Sequence, residues 1–314
     1  MRMKKITEEI GKILTGKDAV VEKVLMAVAA GGNVLLEDVP GTGKTTLALA
    51  LSKVLDLEYK RIQFTPDTIP SDITGFCVYQ PGTGEMTLKE GAVFCNLLLA
   101  DEINRTSPRT QAALLEALEE KKVTIDSVSY PLPKPFVCIA TQNPAEMAGT
   151  QPLPESELDR FMVCLTMGYP TSEEQMRILR NRKKTRYMVL NKIVDRTELS
   201  EFQERVQDIW VSDEILEYMI ALCEATQNDP RVEIGVSPRG LIALMDMAKA
   251  SAALHQRDFV IPEDVENLFF DVCTHRIRLT QEAELEEMTG KMVLEEIYQR
   301  ITPPDRRKAY QKTL

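Results

Sequence analysis

The residues of this 314-residue chain best suited to chemistry are Asp38-Val39-Pro40-Gly41-Thr42-Gly43-Lys44-Thr45-Thr46, directly after the apolar run Asn33-Val34-Leu35-Leu36-Glu37. The run reads as a short buried strand, and the helix-compatible segment Leu47 to Leu55 follows the loop at once. A strand, a glycine-containing loop and a helix N-terminus together suit a phosphate: backbone N–H groups crowd round it and the helix dipole adds positive potential. Lys44 can then reach terminal phosphates, and Thr45 can offer its hydroxyl to Mg²⁺. The usual spacing G-x-x-x-x-G-K-[ST] would place glycine at position 38, where this chain has Asp38. Taken alone, the loop is also compatible with a Gly-Lys-Thr turn capping an ordinary helix.

Companions to the loop stand at other strand ends. The apolar run Leu97-Leu98-Leu99-Ala100 finishes in Asp101-Glu102, and ligands of open α/β sheets gather at the carboxyl ends of strands. Asp101 can share with Thr45 an Mg²⁺ held mostly through water, and Glu102 can polarise a water for attack on a γ-phosphate. Phe136 to Ala140 leads into Thr141-Gln142-Asn143-Pro144, where Asn143 could orient that water; in isolation Asn143-Pro144 reads as a turn. Arg160 precedes a last strand, Met162 to Thr166, and by itself reads as a solvated or salt-bridged charge. Arg239, in Ser237-Pro238-Arg239-Gly240, opens a helix, where the dipole disfavours a cation; the placement suits an anionic partner such as a phosphate.

The elements that must position these groups follow in order. Ile6 to Leu14 and Ala19 to Ala30 have helical spacing and are separated by Thr15-Gly16-Lys17-Asp18. A second strand spans Tyr59 to Phe64, and strands alternating with helices predict a parallel sheet covered on both faces. Two β-hairpins interrupt the pattern: Phe76 to Tyr79 with Glu85 to Leu88, and Val123 to Ile125 with Val128 to Tyr130. They read either as solvated additions or as elements that touch a neighbour or substrate. From Tyr169 the texture becomes amphipathic helices, about Ser172 to Lys184, Thr197 to Ile209, Asp213 to Ala225, Pro238 to Leu254 and Pro262 to His275. A charged tail begins near Gln281 and reads as helical to about Ile301, with Pro303-Pro304 closing it.

Composition bounds the function. Thirty-eight basic against 48 acidic residues leave a net charge of −10, which disfavours nonspecific attraction to nucleic acid. Six scattered cysteines without a C-x-x-C pair and only two histidines argue against a transition-metal site and suit buried thiols in a reducing cytosol. The N-terminus lacks the apolar core of a signal peptide, and no run approaches the ~20 apolar residues of a membrane span, so the expected location is cytoplasmic.

With the phosphate loop, Asp101-Glu102, Asn143, Arg160 and Arg239 in this order, the chain resembles an AAA+ ATPase. The runs Leu36 to Thr45, Ala100-Asp101-Glu102-Ile103-Asn104-Arg105-Thr106-Ser107-Pro108-Arg109-Thr110-Gln111, Ala140 to Pro144 and Ser237-Pro238-Arg239 resemble the MoxR family, over about residues 6 to 275. Asp38 is familiar at that position in the family. The resemblance implies an α/β AAA+ core over residues 1–168, with a parallel five-stranded sheet, flanking helices and hairpin inserts near 75–91 and 122–132, then an all-α lid with a helical tail over 169–314. It makes Pro40 to Thr46 the ATP-binding loop, with Lys44 and Thr45 as the Walker A pair and Asp101 and Glu102 as the Walker B acids; Thr45 and Asp101 hold Mg²⁺. Asn143 becomes sensor 1, Arg239 the sensor 2 residue reaching from the lid to the nucleotide, and Arg160 an arginine finger offered to a neighbouring subunit's ATP. Arg105 and Arg109 match family positions without an assigned role. Family members form homo-oligomers, commonly hexamers, and act as chaperone-like remodellers of partners carrying a von Willebrand factor A or related domain. The other readings are a slow nucleotide-gated assembly switch and, disfavoured by net charge and the lack of a DNA-binding appendage, a nucleic-acid motor.

Overall fold

The computed structural model describes residues 2–82, 84–143, 153–186 and 188–305; Pro144, Thr83 of the first hairpin turn and the last nine residues of the tail, 306–314, lie outside them. The chain runs through α1 (Met3–Gly11), α2 (Asp18–Ala29), β1 (Val34–Glu37), α3 (Lys44–Val54), β2 (Tyr59–Gln63) and α4 (Pro70–Thr74). A hairpin of β3 (Gly75–Gln80) and β4 (Glu85–Glu90) precedes β5 (Leu97–Asp101) and α5 (Pro108–Glu120). A second hairpin, β6 (Lys122–Ile125) and β7 (Val128–Pro131), precedes β8 (Val137–Gln142), α6 (Glu155–Leu158) and β9 (Val163–Leu165). The lid comprises α7 (Ser172–Arg186), α8 (Arg196–Gln207), α9 (Asp213–Gln227), β10 (Val232–Ile234), α10 (Pro238–Leu254), α11 (Pro262–Cys273), β11 (Arg278–Leu279), α12 (Gln281–Leu285) and α13 (Gly290–Arg300).

The central sheet has five strands in the order β2-β5-β8-β1-β9, and every pairing in it is parallel. Continuous apolar runs specify such strands, because both faces are covered: all residues of β5 and β8 are buried. Alternation then sorts side chains between two cores. Leu35, Leu98, Ala100, Cys138 and Ala140 pack with α5, Phe64 and Phe161 on one face. Val34, Leu36, Leu97, Leu99, Val137 and Ile139 pack on the other with α1, α2 and α3, and that cluster continues into lid residues such as Leu199, Phe202, Leu244 and Met247. The lid is therefore cemented to the sheet by shared apolar surface.

Two features escape the sequence pattern. The lid carries a two-stranded antiparallel ribbon, β10 with β11, and so is not wholly helical; strands of three and two residues are too short for alternation to show. The helix α5 begins at a Ser107-Pro108 cap, with Ser107 Oγ accepting from Thr110 N–H at 3.3 Å. Each hairpin of the sequence reading forms, and the second turns through Asp126 and Ser127, both with positive φ.

A polar seam joins lid to sheet where β9 begins. Asp159 accepts from Arg276 Nε at 2.8 Å and from Ser237 Oγ at 2.9 Å, and the buried Arg276 also donates to the carbonyls of Phe161 at 2.6 Å and Met162 at 3.2 Å. Beside it His275 Nε2 lies 3.1 Å from the Phe161 carbonyl, while its Nδ1 is enclosed without a partner. Burial, then the neighbouring Arg276 charge, hold the His275 pKa down at about 3. The unfolded chain takes up a proton near pH 6.5 that the folded chain refuses, so this contribution to stability is whole above about pH 6.5 and is lost as pH falls toward about 3. Replacing His275 by Gln should remove about 1–2 kcal/mol of the stability difference between pH 7 and pH 5. Urea unfolding at both pH values checks this; an unchanged difference contradicts it.

Candidate active site

The phosphate loop lies between β1 and α3, as its spacing predicts. Gly41 and Gly43 have φ of +89° and +101°, which side-chain-bearing residues rarely adopt. A Cβ at Gly41 would meet no atom within 4 Å, so its backbone faces open space, whereas one at Gly43 would press Leu14 Cδ1 at 2.9 Å. Lys44 opens α3 and donates to the Asp38 carbonyl at 2.6 Å, and burial lowers its pKa against the opposing pull of Asp38, Asp101 and Glu102.

Asp38, the departure from the common loop spacing, has a defined task. Its Oδ1 accepts from Val39 N–H and its Oδ2 from Gly168 N–H, each at 2.7 Å, tying the loop to the connection between β9 and the lid. Gly168 is itself at φ +64°. The same connection is gripped by the buried Lys17, whose amine donates to the carbonyls of Met167, Gly168 and Tyr169 at 2.7, 3.1 and 3.4 Å. A glycine at position 38 would leave the linker without this anchor, which explains why an acid is compatible with the loop.

A cavity of about 350 Å³ is lined by Pro40, Gly41, Gly43, Lys44, Thr45 and Thr46 from the loop, Arg61 and Gln63 from β2, Asp101 and Glu102 from β5, and Asn143 after β8. The parallel register brings these strand ends to one edge of the sheet. Thr42 stands behind the loop, its hydroxyl on the Val39 carbonyl at 3.3 Å.

The two acids are held apart in role. Thr141 donates to Asp101 Oδ1 at 2.6 Å and accepts from the Glu102 N–H at 2.9 Å. That second bond supports Glu102 in a left-handed backbone conformation, φ +59°, a placement costing roughly 1–2 kcal/mol for a residue other than glycine. Arg61 pairs with Asp101 Oδ2 at 2.7 Å, and Asn143 and Arg105 reach Glu102 Oε1 and Oε2 at 3.2 and 2.8 Å. The turn after β5 is fixed from below: Asn104 donates to the Asn143 carbonyl at 2.9 Å and Gln111 to the Ile103 carbonyl at 3.0 Å.

Arg61 and Thr141 were not distinguishable as site residues in the sequence, since a lone arginine in a strand and a threonine at its end carry no spacing signal. The general rule that strand carboxyl ends meet at the ligand is the one clue that could have found them. Arg105 has a contact here, to Glu102, while Arg109 is exposed on the first turn of α5.

Arg160 and Arg239 are not in this cavity. They line a second one of about 190 Å³ with Gly31, Gly32 and Asn33, which precede β1, and with Asp159 and Arg276. The phosphate loop follows β1, so the four residues of that strand, ~13 Å at the usual rise, separate the two sites. In this geometry Arg239 does not reach from the lid to the phosphate loop of its own chain.

The donors fit a nucleoside triphosphate with a hard divalent cation: a glycine cradle open toward solvent, a partly buried ammonium, a hydroxyl and two carboxylates. Comparison with known proteins agrees with the nucleotide. Residues 33–163 match the model of the ATPase family associated with various cellular activities (AAA), and residues 224–297 match the AAA lid domain. The chain is similar to the uncharacterized protein YeaC of Bacillus subtilis, 44% identical over 97% of this chain and 96% of that one. It is also similar to Chaperone MoxR1 of Mycobacterium tuberculosis, 36% identical over 94% and 81% of the two chains, and to Protein MoxR of Methylorubrum extorquens, 28% identical over 86% of each. A crystal structure described as that of a candidate ATPase from Cytophaga hutchinsonii superposes with a TM-score of 0.89 at 36% identity, covering 97% of this chain and 95% of that chain. The five-stranded parallel sheet, the phosphate loop between β1 and α3, and the helical lid have the same origin: the chain belongs to the MoxR family of AAA+ ATPases.

Proposed function

We propose that the protein hydrolyses ATP at the interfaces of a homo-oligomeric ring, a hexamer by family resemblance, and uses the cycle to remodel a partner protein. The observation that carries this reading is the division of the machinery: Lys44, Asp101, Glu102 and Asn143 stand at the carboxyl end of β1, and Arg160 and Arg239 stand at its amino end. Complementary halves on different surfaces of one chain favour head-to-tail contacts, which close into rings.

In that arrangement the loop from Pro40 to Thr46 cradles the phosphates, and Mg²⁺ on Thr45 and Asp101 would neutralise charge on their oxygens. Glu102 accepts a proton from the attacking water, Asn143 orients Glu102 and that water, and the bond from the γ-phosphorus to its bridging oxygen breaks to release ADP and phosphate. Arg160 and Arg239 of the adjoining subunit stabilise the charge that develops. The apolar side chains exposed on the first hairpin, Phe76, Val78, Tyr79 and Met86, suit contact with a client. A client with a von Willebrand factor A or related domain follows from family resemblance, and the naming of the mycobacterial relative as a chaperone accords with it. Among the described residues no helix is long and apolar enough to cross a membrane; the six free thiols accord with a cytoplasmic location.

One observation favours a slower cycle, a nucleotide-gated switch: both acids are engaged by arginines, Arg61 on Asp101 and Arg105 on Glu102. Full partner function in Glu102→Gln protein would select the switch over the remodeller.

Lys44→Ala should abolish ATP binding measured by fluorescent-nucleotide titration, whereas Glu102→Gln should retain ATP and lose at least ~10²-fold in turnover. Normal turnover in purified Glu102→Gln protein would defeat the assignment. Arg160→Ala should lower turnover by roughly 10³-fold or more. Mixed with Lys44→Ala subunits, which keep their arginines, it should recover part of the activity; no recovery across mixing ratios would count against an interfacial site.

A further inference from the structure

The two arginines at the amino end of β1 are held by one carboxylate. Glu119, in the last turn of α5, accepts from Arg160 through Oε2 and from Arg239 through Oε1. Arg160 comes from the turn before β9 and Arg239 from the first turn of α10, so the sheet domain and the lid each send a guanidinium to the same acid. We propose that Glu119 is a resting counter-ion that holds Arg160 and Arg239 together and releases both to the polyphosphate of a neighbouring subunit, thereby setting the ATP level at which the interface fires. The inference rests on the interfacial reading above.

Three observations distinguish a displaceable restraint from a structural bridge. First, the groups are wet: the side chains of Glu119, Arg160 and Arg239 are 37%, 30% and 45% exposed, where ion pairs are weak and exchange partners readily. Second, the contacts of the two arginines are incomplete. Arg160 Nε is buried without a hydrogen-bond partner, and the second acid near Arg239, Asp159, is 4.0 Å away. Third, the same cavity contains an arginine with the opposite character: Arg276 is 2% exposed and locked to Asp159 and to main-chain carbonyls. The cavity thus has one fixed cation and two whose shared partner can be outbid.

The charge balance gives the device its behaviour. Two guanidinium groups sharing a carboxylate are kept close despite their mutual repulsion, and a triphosphate carries several charges against the one on Glu119. The mutual repulsion of the two arginines weakens the hold of Glu119 on each, so an incoming phosphate takes the first readily, and the further charges of the same polyphosphate are needed to draw the second. Release is therefore stepwise, and occupancy of one subunit's loop is reported through both the sheet domain and the lid of the next.

Glu119→Gln tests this, since the amide keeps the shape and removes the charge. In the oligomer, ATPase at sub-saturating ATP should rise about two- to fivefold, the factor supported by a half-exposed ion pair. The rise should vanish in Glu119→Gln/Arg160→Ala protein, and Glu119→Asp, one methylene shorter, should fall between wild type and Gln. A turnover in Glu119→Gln that is unchanged, or that drops as it does in Arg160→Ala, overturns the proposal. Thermal unfolding of each variant guards against misfolding, with Glu119→Asp as the substitute reading if Gln unfolds. If Arg160→Ala alone leaves turnover intact, the interfacial reading itself falls; if it abolishes turnover and Glu119→Gln brings no rise, only the role of Glu119 does.

Discussion

The constraint on which the molecule depends is the position of β1, a four-residue strand flanked by β8 and β9 in the parallel sheet. Its carboxyl end must turn directly into the phosphate loop, because α3 begins at Lys44. Its amino end is walled by Gly31, Gly32 and Asn33, against which Arg160 and Arg239 are set. A parallel strand has two chemically different ends, and here one carries the glycine loop with the acids and the other the arginine pair. The separation follows from backbone geometry alone, and side-chain rotamers cannot abolish it.

What keeps the two ends in register is a set of carboxylates acting as anchors. Asp38 ties the phosphate loop to Gly168, where the chain leaves the sheet, and Lys17 secures the carbonyls on either side of that residue. Asp159 gathers Ser237 and Arg276 from the lid at the start of β9. Buried groups of this kind stabilise only when each donor and acceptor finds a partner, and these do. The loop and the start of the lid are therefore joined by hydrogen bonds at residues 167–169.

At the carboxyl end of β1, both acids are engaged by side chains of the chain itself. Arg61 and Arg105 sit on the two acids, and Thr141 braces both of them from β8. Under the proposed function, ligand and neighbour contacts draw these cations away before the acids act.

Much of this was legible in the sequence because it depended on short-range pattern. The glycine-lysine-threonine loop between an apolar run and a helix, the acids closing Leu97 to Ala100, and the amphipathic segments after Tyr169 each follow from periodicity or backbone sterics, and the structure forms the corresponding strands, loop and helices. The order in which strands pair was not so encoded, and with it went Arg61 and Thr141, whose place at the site exists only because β2 and β8 flank β5. The short ribbon of β10 and β11 lay below the length at which alternation can speak. The convergence of Arg160, Arg239 and Glu119, residues drawn from three separate elements, was likewise decided by packing of the lid against the sheet. Local sequence sets what each residue can do; the tertiary structure decides which residues meet, because long-range contacts arise from shared burial that no single stretch of chain contains.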